Sequence, residues 1–83
     1  MKKTRQLKQK NVIGPRVRLA REKLRPLVSQ EDLSGRLARL RVHITQESLS
    51  KLETGQRYVM DYEAIALAKA LKVSVAWLFG DER

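Results

Sequence analysis

Four polar residues that can hydrogen-bond to the edges of nucleic-acid bases fall in one short stretch of the sequence, next to two leucines. They are Gln46, Glu47, Ser50 and Lys51. Glutamine can make two hydrogen bonds to adenine, lysine can donate to guanine, and a carboxylate can accept from the amino group of cytosine. The same mixture occurs on ordinary solvated helix faces, and the residue types alone favour that interpretation. Whether these residues contact bases or form a solvated helix face therefore depends on the secondary structure that positions them.

Catalytic and metal-binding chemistry has little support in this sequence. There is no cysteine, which excludes disulfides, thiolate nucleophiles and thiolate metal ligands. The single histidine, His43, has no second histidine as a metal-binding or catalytic partner. The sequence also lacks a glycine-rich phosphate-binding loop. We therefore expect neither an enzyme nor a protein that holds a cofactor or a metal ion.

The positive charge of the sequence is concentrated near its start. The formal net charge is +9, and residues 1–25, with ten basic residues and one acid, account for all of it, because eight basic and eight acidic residues cancel in 26–83. Five basic residues lie within 1–12, a segment with few apolar groups: Lys2, Lys3, Arg5, Lys8 and Lys10. This asymmetry predicts a flexible basic arm at 1–12 and a polyanionic partner, with nucleic acid favoured over a membrane surface. A solvated tail without a partner would have the same composition.

Spacing and capping residues predict two helices in the first half of the chain. Pro15 suits a first helical turn and opens a helix at about 15–24, which stops before the next proline. Ser29 followed three residues later by Asp32 forms a capping-box pattern that opens a second helix at about 30–40. The apolar face of this second helix is predicted to contain Leu33, Leu37 and Leu40.

Three further helices are predicted in the second half. Thr45 caps the third, which buries Leu49 and Leu52 and ends at Gly55. The fourth opens with Asp61 as its N-cap and runs to residue 71. A short fifth helix lies between a Ser74 cap and Gly80.

These elements predict an all-α domain of five helices at 13–80, with the arm at 1–12 before it and a tail at 81–83. No segment alternates with the period of a β-strand. No apolar run approaches the roughly 18 residues of a membrane-spanning helix, and no apolar signal core follows the first lysines. We expect a cytoplasmic protein.

Five motifs follow one another along the predicted helices: Ser29-Gln30-Glu31-Asp32-Leu33, Leu49-Ser50-Lys51-Leu52-Glu53-Thr54-Gly55, Ala68-Lys69-Ala70-Leu71, Val73-Ser74-Val75 and Trp77-Leu78. Together they resemble the lambda-repressor/Cro-like helix-turn-helix regulators, the Xre family. The chain departs from the family between the second and third helices, where the connection is some five residues longer than usual. It is similar in this to a sub-group with the stretch Gly55-Gln56-Arg57-Tyr58-Val59.

The resemblance implies that the third helix enters the major groove of double-stranded DNA. Its outward residues, Gln46, Glu47, Ser50 and Lys51, would then contact base edges, although Glu47 could instead orient Lys51. Backbone phosphates would be contacted by residues at the helix starts and beyond the third helix: Gln30, Thr45, Gln56, Arg57 and Tyr58. Arg57 has the most suitable charge of these, and Tyr58 could instead pack against the core.

The resemblance also implies two structural roles. Arg21 in the first helix would pair with Glu53 near the end of the third helix and hold the two helices together. A homodimer, at least on DNA, would form through apolar residues near the C-terminus: Val75, Trp77, Leu78 and Phe79.

The implied function is sequence-specific binding of double-stranded DNA by a transcriptional regulator, most simply a repressor. Two alternatives use the same fold. One is the antitoxin of a toxin–antitoxin pair, which binds its operator and a toxin. The other is a protein-binding adaptor, against which the basic arm argues, because added positive charge is most useful at phosphates. A toxin or an antirepressor would be the corresponding protein partner.

Overall fold

The computed structural model describes residues 9–81, and this part of the chain is helical, without a strand. Five helices follow one another: α1 (Gly14–Lys23), α2 (Gln30–Arg39), α3 (Gln46–Glu53), α4 (Asp61–Leu71) and α5 (Val75–Leu78). The predicted all-α fold of five helices is confirmed. Among the described residues, no helix has the length and apolar character needed to span a membrane.

Side-chain caps begin three helices where the sequence predicted them. Ser29 Oγ accepts from the backbone N–H of Asp32 at 2.9 Å, and the Asp32 carboxylate accepts from the N–H of Ser29 at 3.0 Å. Thr45 and Ser74 each accept from the N–H three residues later, and so begin α3 and α5. Each cap satisfies a backbone donor that the first helical turn leaves unpaired.

The start of α4 differs from the prediction by one residue. Met60, not Asp61, is the N-cap, and Asp61 is already the first helical residue. The cause is Glu63, whose carboxylate accepts from the N–H of Met60 at 2.9 Å. An acidic side chain at the third helical position satisfies this donor, so an aspartate cap is not needed.

Four helices end at a residue with a left-handed backbone. Gly55 and Gly80 follow α3 and α5 with φ of 78° and 76°, as expected of glycine. Arg41 and Lys72 take the corresponding place after α2 and α4, with φ of 66° and 61°. At each end the next N–H bonds back to the carbonyl five residues earlier, as from Val42 to residue 37 at 3.0 Å. In two of the four cases the residue that ends the helix in this way is not a glycine.

The core is built mainly from leucines of the packed helices. Its largest fully buried side chains are Ile13, Val17, Leu33, Leu37, Leu49, Leu52, Leu67, Leu71 and Leu78. Leu40, predicted to lie on the apolar face of the second helix, is 41% exposed. That prediction was wrong because α2 ends at Arg39, and Leu40 already belongs to the turn.

The long connection between α2 and α3 is folded against α2. Ile44 is buried, and its carbonyl accepts a hydrogen bond from Ser34 Oγ at 2.7 Å. Ile44 immediately precedes Thr45, the cap of α3. The connection therefore anchors the beginning of α3 to the core.

Candidate nucleic-acid interface

The polar residues singled out in the third helix share its exposed side. Leu49 and Leu52 are completely buried. Exposed on α3 are Gln46, Glu47, Ser50 and Lys51. The structure thus brings the four candidate base-contacting residues together on one helix, facing outward.

The end of α3 is held by a buried ion pair with α1. Arg21 Nε and Nη2 donate to the two carboxylate oxygens of Glu53 at 2.8 and 2.9 Å, and Arg21 Nη1 donates to the carbonyl of Val28 at 3.1 Å. The Glu53 side chain is 3% exposed and that of Arg21 11%. Hydrogen bonding to Glu53 raises the pKa of Arg21, so the arginine is held in its charged form. The pair joins α1, α3 and the segment before α2.

Gln30 at the start of α2 also belongs to this network. Its Nε2 donates to Glu53 Oε1 at 3.0 Å. The candidate phosphate ligand at the start of α2 is thereby tied to the end of α3. Thr45 and Gln56, two other candidates, are exposed at the two ends of α3, where Thr45 also serves as the helix cap.

Arg57, a candidate phosphate ligand, has an ion-pair partner inside the protein. Arg57 Nη1 and Nη2 donate to the two carboxylate oxygens of Glu63 at 3.0 Å each, and Nη1 also donates to the carbonyl of Tyr58. The Arg57 side chain is 25% exposed and that of Glu63 7%. Hydrogen bonding to Arg57 lowers the pKa of Glu63, and the same bonds raise the pKa of Arg57. The pair joins the loop between α3 and α4 to the first turn of α4, and the phosphate contact of Arg57 stays a prediction.

Sequence reasoning missed the Arg57–Glu63 pair. The only signal was Glu63 itself, three residues after the cap of a helix, in a position typical of a capping box. That pattern predicts a bond to the cap N–H but says nothing about an arginine six residues earlier. The pair forms because the loop folds back over the first turn of α4.

Tyr58 lies on the surface beside a lysine from the N-terminal segment. Its side chain is 69% exposed, so it does not pack against the core. The ammonium nitrogen of Lys10 lies 5.4 Å from the centre of its ring, within the range of a cation–π contact. Two candidate DNA-contacting residues from distant parts of the sequence are therefore neighbours.

The described part of the predicted arm is bound to the body of the protein. The N–H of Lys10 donates to the carbonyl of Gly55 at 2.8 Å, and Asn11 bonds to several backbone groups. Lys10 and Asn11, at the end of the predicted arm, are thus hydrogen-bonded to α3 and the loop after it, which composition does not reveal. Lys2, Lys3, Arg5 and Lys8, the other predicted arm contacts, lie outside the described residues.

The apolar C-terminal residues divide into buried and exposed members. Leu78 is completely buried, so its expected dimer contact was wrong: it belongs to the core of the single chain. The ring of Trp77 is partly covered by Arg16, whose guanidinium carbon lies 4.0 Å from its centre. Val75 and Phe79 are 42% and 48% exposed and remain candidates for association. His43 is exposed, and no cluster that could hold a metal ion occurs among residues 9–81.

A helix-turn-helix family model matches residues 17–78, well over half of the chain. The chain belongs to the helix-turn-helix family. This match confirms the resemblance to lambda-repressor-like helix-turn-helix regulators.

The fold of this helix-turn-helix chain is similar to that of a solved structure. The chain is similar to the P22 c2 repressor, crystallised in complex with the synthetic operator 9T in the presence of Tl⁺. The TM-score is 0.69 at 24% sequence identity, and the match covers 87% of this chain and 98% of the repressor chain. At this identity the likeness establishes a shared fold. No curated protein matches the sequence.

Proposed function

We propose that this protein is a sequence-specific transcriptional repressor that inserts the beginning of α3 into the major groove of double-stranded DNA. The observation that carries the proposal is the division of α3 into two faces, with Leu49 and Leu52 fully buried and the polar side exposed. The major groove of B-DNA is wide enough for an α-helix, and its base edges present distinct patterns of donors and acceptors. The P22 c2 repressor, which has the same fold, was crystallised with an operator.

Base contacts are assigned to the exposed side of α3. Gln46, at the first position of the helix, is suited to adenine, and Lys51 is suited to guanine. Glu47 either accepts from cytosine or orients Lys51, four residues further on the same helix face. Ser50 lies between them and can donate or accept.

Phosphate contacts are assigned to Gln30 at the start of α2 and to residues that flank α3. Gln30 is the best placed, because Glu53 orients its amide at the start of α2, where backbone N–H groups also favour an anion. Thr45, Gln56 and Tyr58 are exposed at either end of α3. Arg57 contributes indirectly, through the loop that carries Tyr58.

The deciding experiment uses an operator selected by the protein from random duplexes. Gln46→Ala and Lys51→Ala should each weaken binding to the selected duplex by about 1–3 kcal/mol for a lost bidentate contact and leave binding to random DNA nearly unchanged. Lys69→Ala is the matched control, because Lys69 is an exposed lysine on α4. An equal loss on random and selected DNA would remove both residues from the base-contacting set.

Association is tested on the same complex. Exposed Val75 and Phe79 support a homodimer on DNA, whose two half-sites would lie about one helical turn apart. Sedimentation should then show two chains on each selected duplex. One chain on a site without a repeat would contradict the dimer.

A further inference from the structure

The segment just before α1 crosses the C-terminal end of α3 at close range. The N–H of Lys10 donates to the carbonyl of Gly55 at 2.8 Å. A Cβ atom on Gly55 would come within 2.8 Å of the side chain of Gln9. Gly55 is therefore needed for two reasons: its left-handed backbone and the close passage of residue 9.

Asn11 fastens this segment in place. Its Nδ2 donates to the carbonyls of Leu52 at 3.1 Å and Arg57 at 2.8 Å, while its Oδ1 accepts from the N–H groups of Ile13 at 3.0 Å and Gly14 at 2.8 Å. An asparagine side chain has two donor hydrogens and two acceptor lone pairs, and here all four are used. Asn11 thus joins the start of α1, the end of α3 and the loop after α3.

The consequence is a fixed pair of exposed side chains. Lys10 precedes Asn11, and its ammonium lies 5.4 Å from the ring centre of Tyr58. Tyr58 follows Arg57, whose carbonyl Asn11 holds. Asn11 therefore lies next to both partners of the Lys10–Tyr58 contact. It follows Lys10 in the sequence, and it hydrogen-bonds to the carbonyl of Arg57, the residue before Tyr58.

A positive charge is useful at this place for an electrostatic reason. The C-terminal end of a helix carries a partial negative charge, which disfavours a phosphate. Near the end of α3 that charge is offset by the donors from Asn11 and Lys10, and the ammonium of Lys10 adds a full positive charge. A lysine and a tyrosine hydroxyl are both groups that proteins use to bind DNA phosphates.

We propose that Asn11 is a positioning residue that holds Lys10 against Tyr58, so that these two side chains together contact one backbone phosphate of DNA at the end of α3. This inference rests on the proposed DNA binding. It assigns to Asn11 a role that local helix capping alone would not require, since capping uses only its Oδ1.

The test measures affinity for a random-sequence duplex of about 20 base pairs across a salt series, because phosphate contacts carry no sequence information. The variants are Lys10→Gln, Tyr58→Leu and their double substitution. Lys72→Gln, alone and with Tyr58→Leu, is the matched control: it removes the same charge at the far end of α4, roughly 16 Å along the helix axis from its start.

Lys10→Gln and Tyr58→Leu should each weaken binding about 3- to 10-fold, and Lys10→Gln should reduce the salt slope by about 0.9. The double variant should lose little more than the worse single variant, because both changes damage one contact. Lys72→Gln should weaken binding less, and its effect should multiply with that of Tyr58→Leu. The proposal is overturned if the affinity losses of Lys10→Gln and Tyr58→Leu multiply in the double variant. It is also overturned if Lys10→Gln and Lys72→Gln weaken binding equally.

The positioning role is tested in an Asn11→Ser background, which keeps an oxygen acceptor for the start of α1 and replaces the two amide donors with a single hydroxyl hydrogen on a shorter side chain. In that background Lys10→Gln should weaken binding no more than Lys72→Gln, with the helical circular dichroism signal retained. A full penalty for Lys10→Gln there would show that Asn11 does not position the lysine. If the wild-type protein does not bind the duplex even at low salt, the proposed DNA binding itself is contradicted.

Discussion

Two arginine–glutamate pairs hold the region at the C-terminal end of α3, and they differ in depth and in the separation of their partners. Arg21 and Glu53 are 32 residues apart and 11% and 3% exposed, and they join two helices. Arg57 and Glu63 are six residues apart and 25% and 7% exposed, and they order one loop. Both pairs have two parallel hydrogen bonds, so geometry alone does not distinguish them. Access of water to the arginine distinguishes them. Arg21–Glu53, the inner pair, is less accessible than Arg57–Glu63, the outer pair, and should be the more costly to break.

The largest effect is expected from breaking the inner pair. Arg21→Met leaves the Glu53 carboxylate buried with Gln30 as its remaining side-chain partner among residues 9–81, and should lower the free energy of unfolding by about 3–5 kcal/mol. Urea titration followed by circular dichroism measures this. The double variant Arg21→Met/Glu53→Leu should recover most of the loss, since an apolar replacement removes the uncompensated charge. If the double variant is no more stable than the single one, the loss comes from packing and not from the buried charge.

A smaller loss is expected at the outer pair. Arg57→Met should lower the free energy of unfolding by about 1–3 kcal/mol, because Glu63 keeps its bond from the N–H of Met60 and the site of Arg57 is more open to water than that of Arg21. Arg18→Ala is the control: it breaks the exposed pair with Glu22, where both side chains are about half exposed, and should change stability by less than about 1 kcal/mol. A loss at Arg57 equal to that at Arg21 would remove the ranking by depth.

The smallest expected effect is a pH dependence that belongs to the outer pair. Arg57 holds the pKa of Glu63 below its ordinary value. A depressed pKa in the folded state means that the stabilisation is fully present above the unfolded-state pKa and is lost as the pH falls through the folded-state pKa. The stability difference between the wild type and Glu63→Gln should therefore be constant from pH 7 to 5 and shrink below about pH 4. A difference unchanged down to pH 3 would show that the carboxylate charge does not matter.

Asp32 is a second source of acid sensitivity and must be separated from Glu63. The N–H of Ser29, followed by its hydroxyl, lowers the pKa of Asp32, so its contribution is lost in the same direction as the pH falls. Asp32→Asn, measured alongside Glu63→Gln over the same pH range, separates the two carboxyl groups. If Glu63→Gln reduces the loss of stability at low pH, the outer pair is a source of that loss. If only Asp32→Asn reduces it, the source is the cap of α2.

The sequence by itself determined the features that depend on residues close together in the chain. A cap needs only a suitable oxygen and an N–H about three residues later, so Ser29, Thr45 and Ser74 were readable as helix starts. The leucine spacing likewise showed which side of α3 would be buried and so which residues would face outward. The family motifs added the pairing of Arg21 with Glu53, a contact that local spacing does not contain.

Only the tertiary structure decided what distant segments do to one another. The bonds from Asn11 to the carbonyls of Leu52 and Arg57 and the burial of Leu78 arise from packing between segments that the linear sequence keeps apart. Arg41 reverses the chain after α2 although its type does not favour a left-handed backbone, because the buried Ile44 must be brought back to the core. A left-handed backbone costs a residue other than glycine roughly 1–2 kcal/mol, and burial of a single large apolar side chain contributes about 1.5–3 kcal/mol. Where the two conflict, packing decides the conformation.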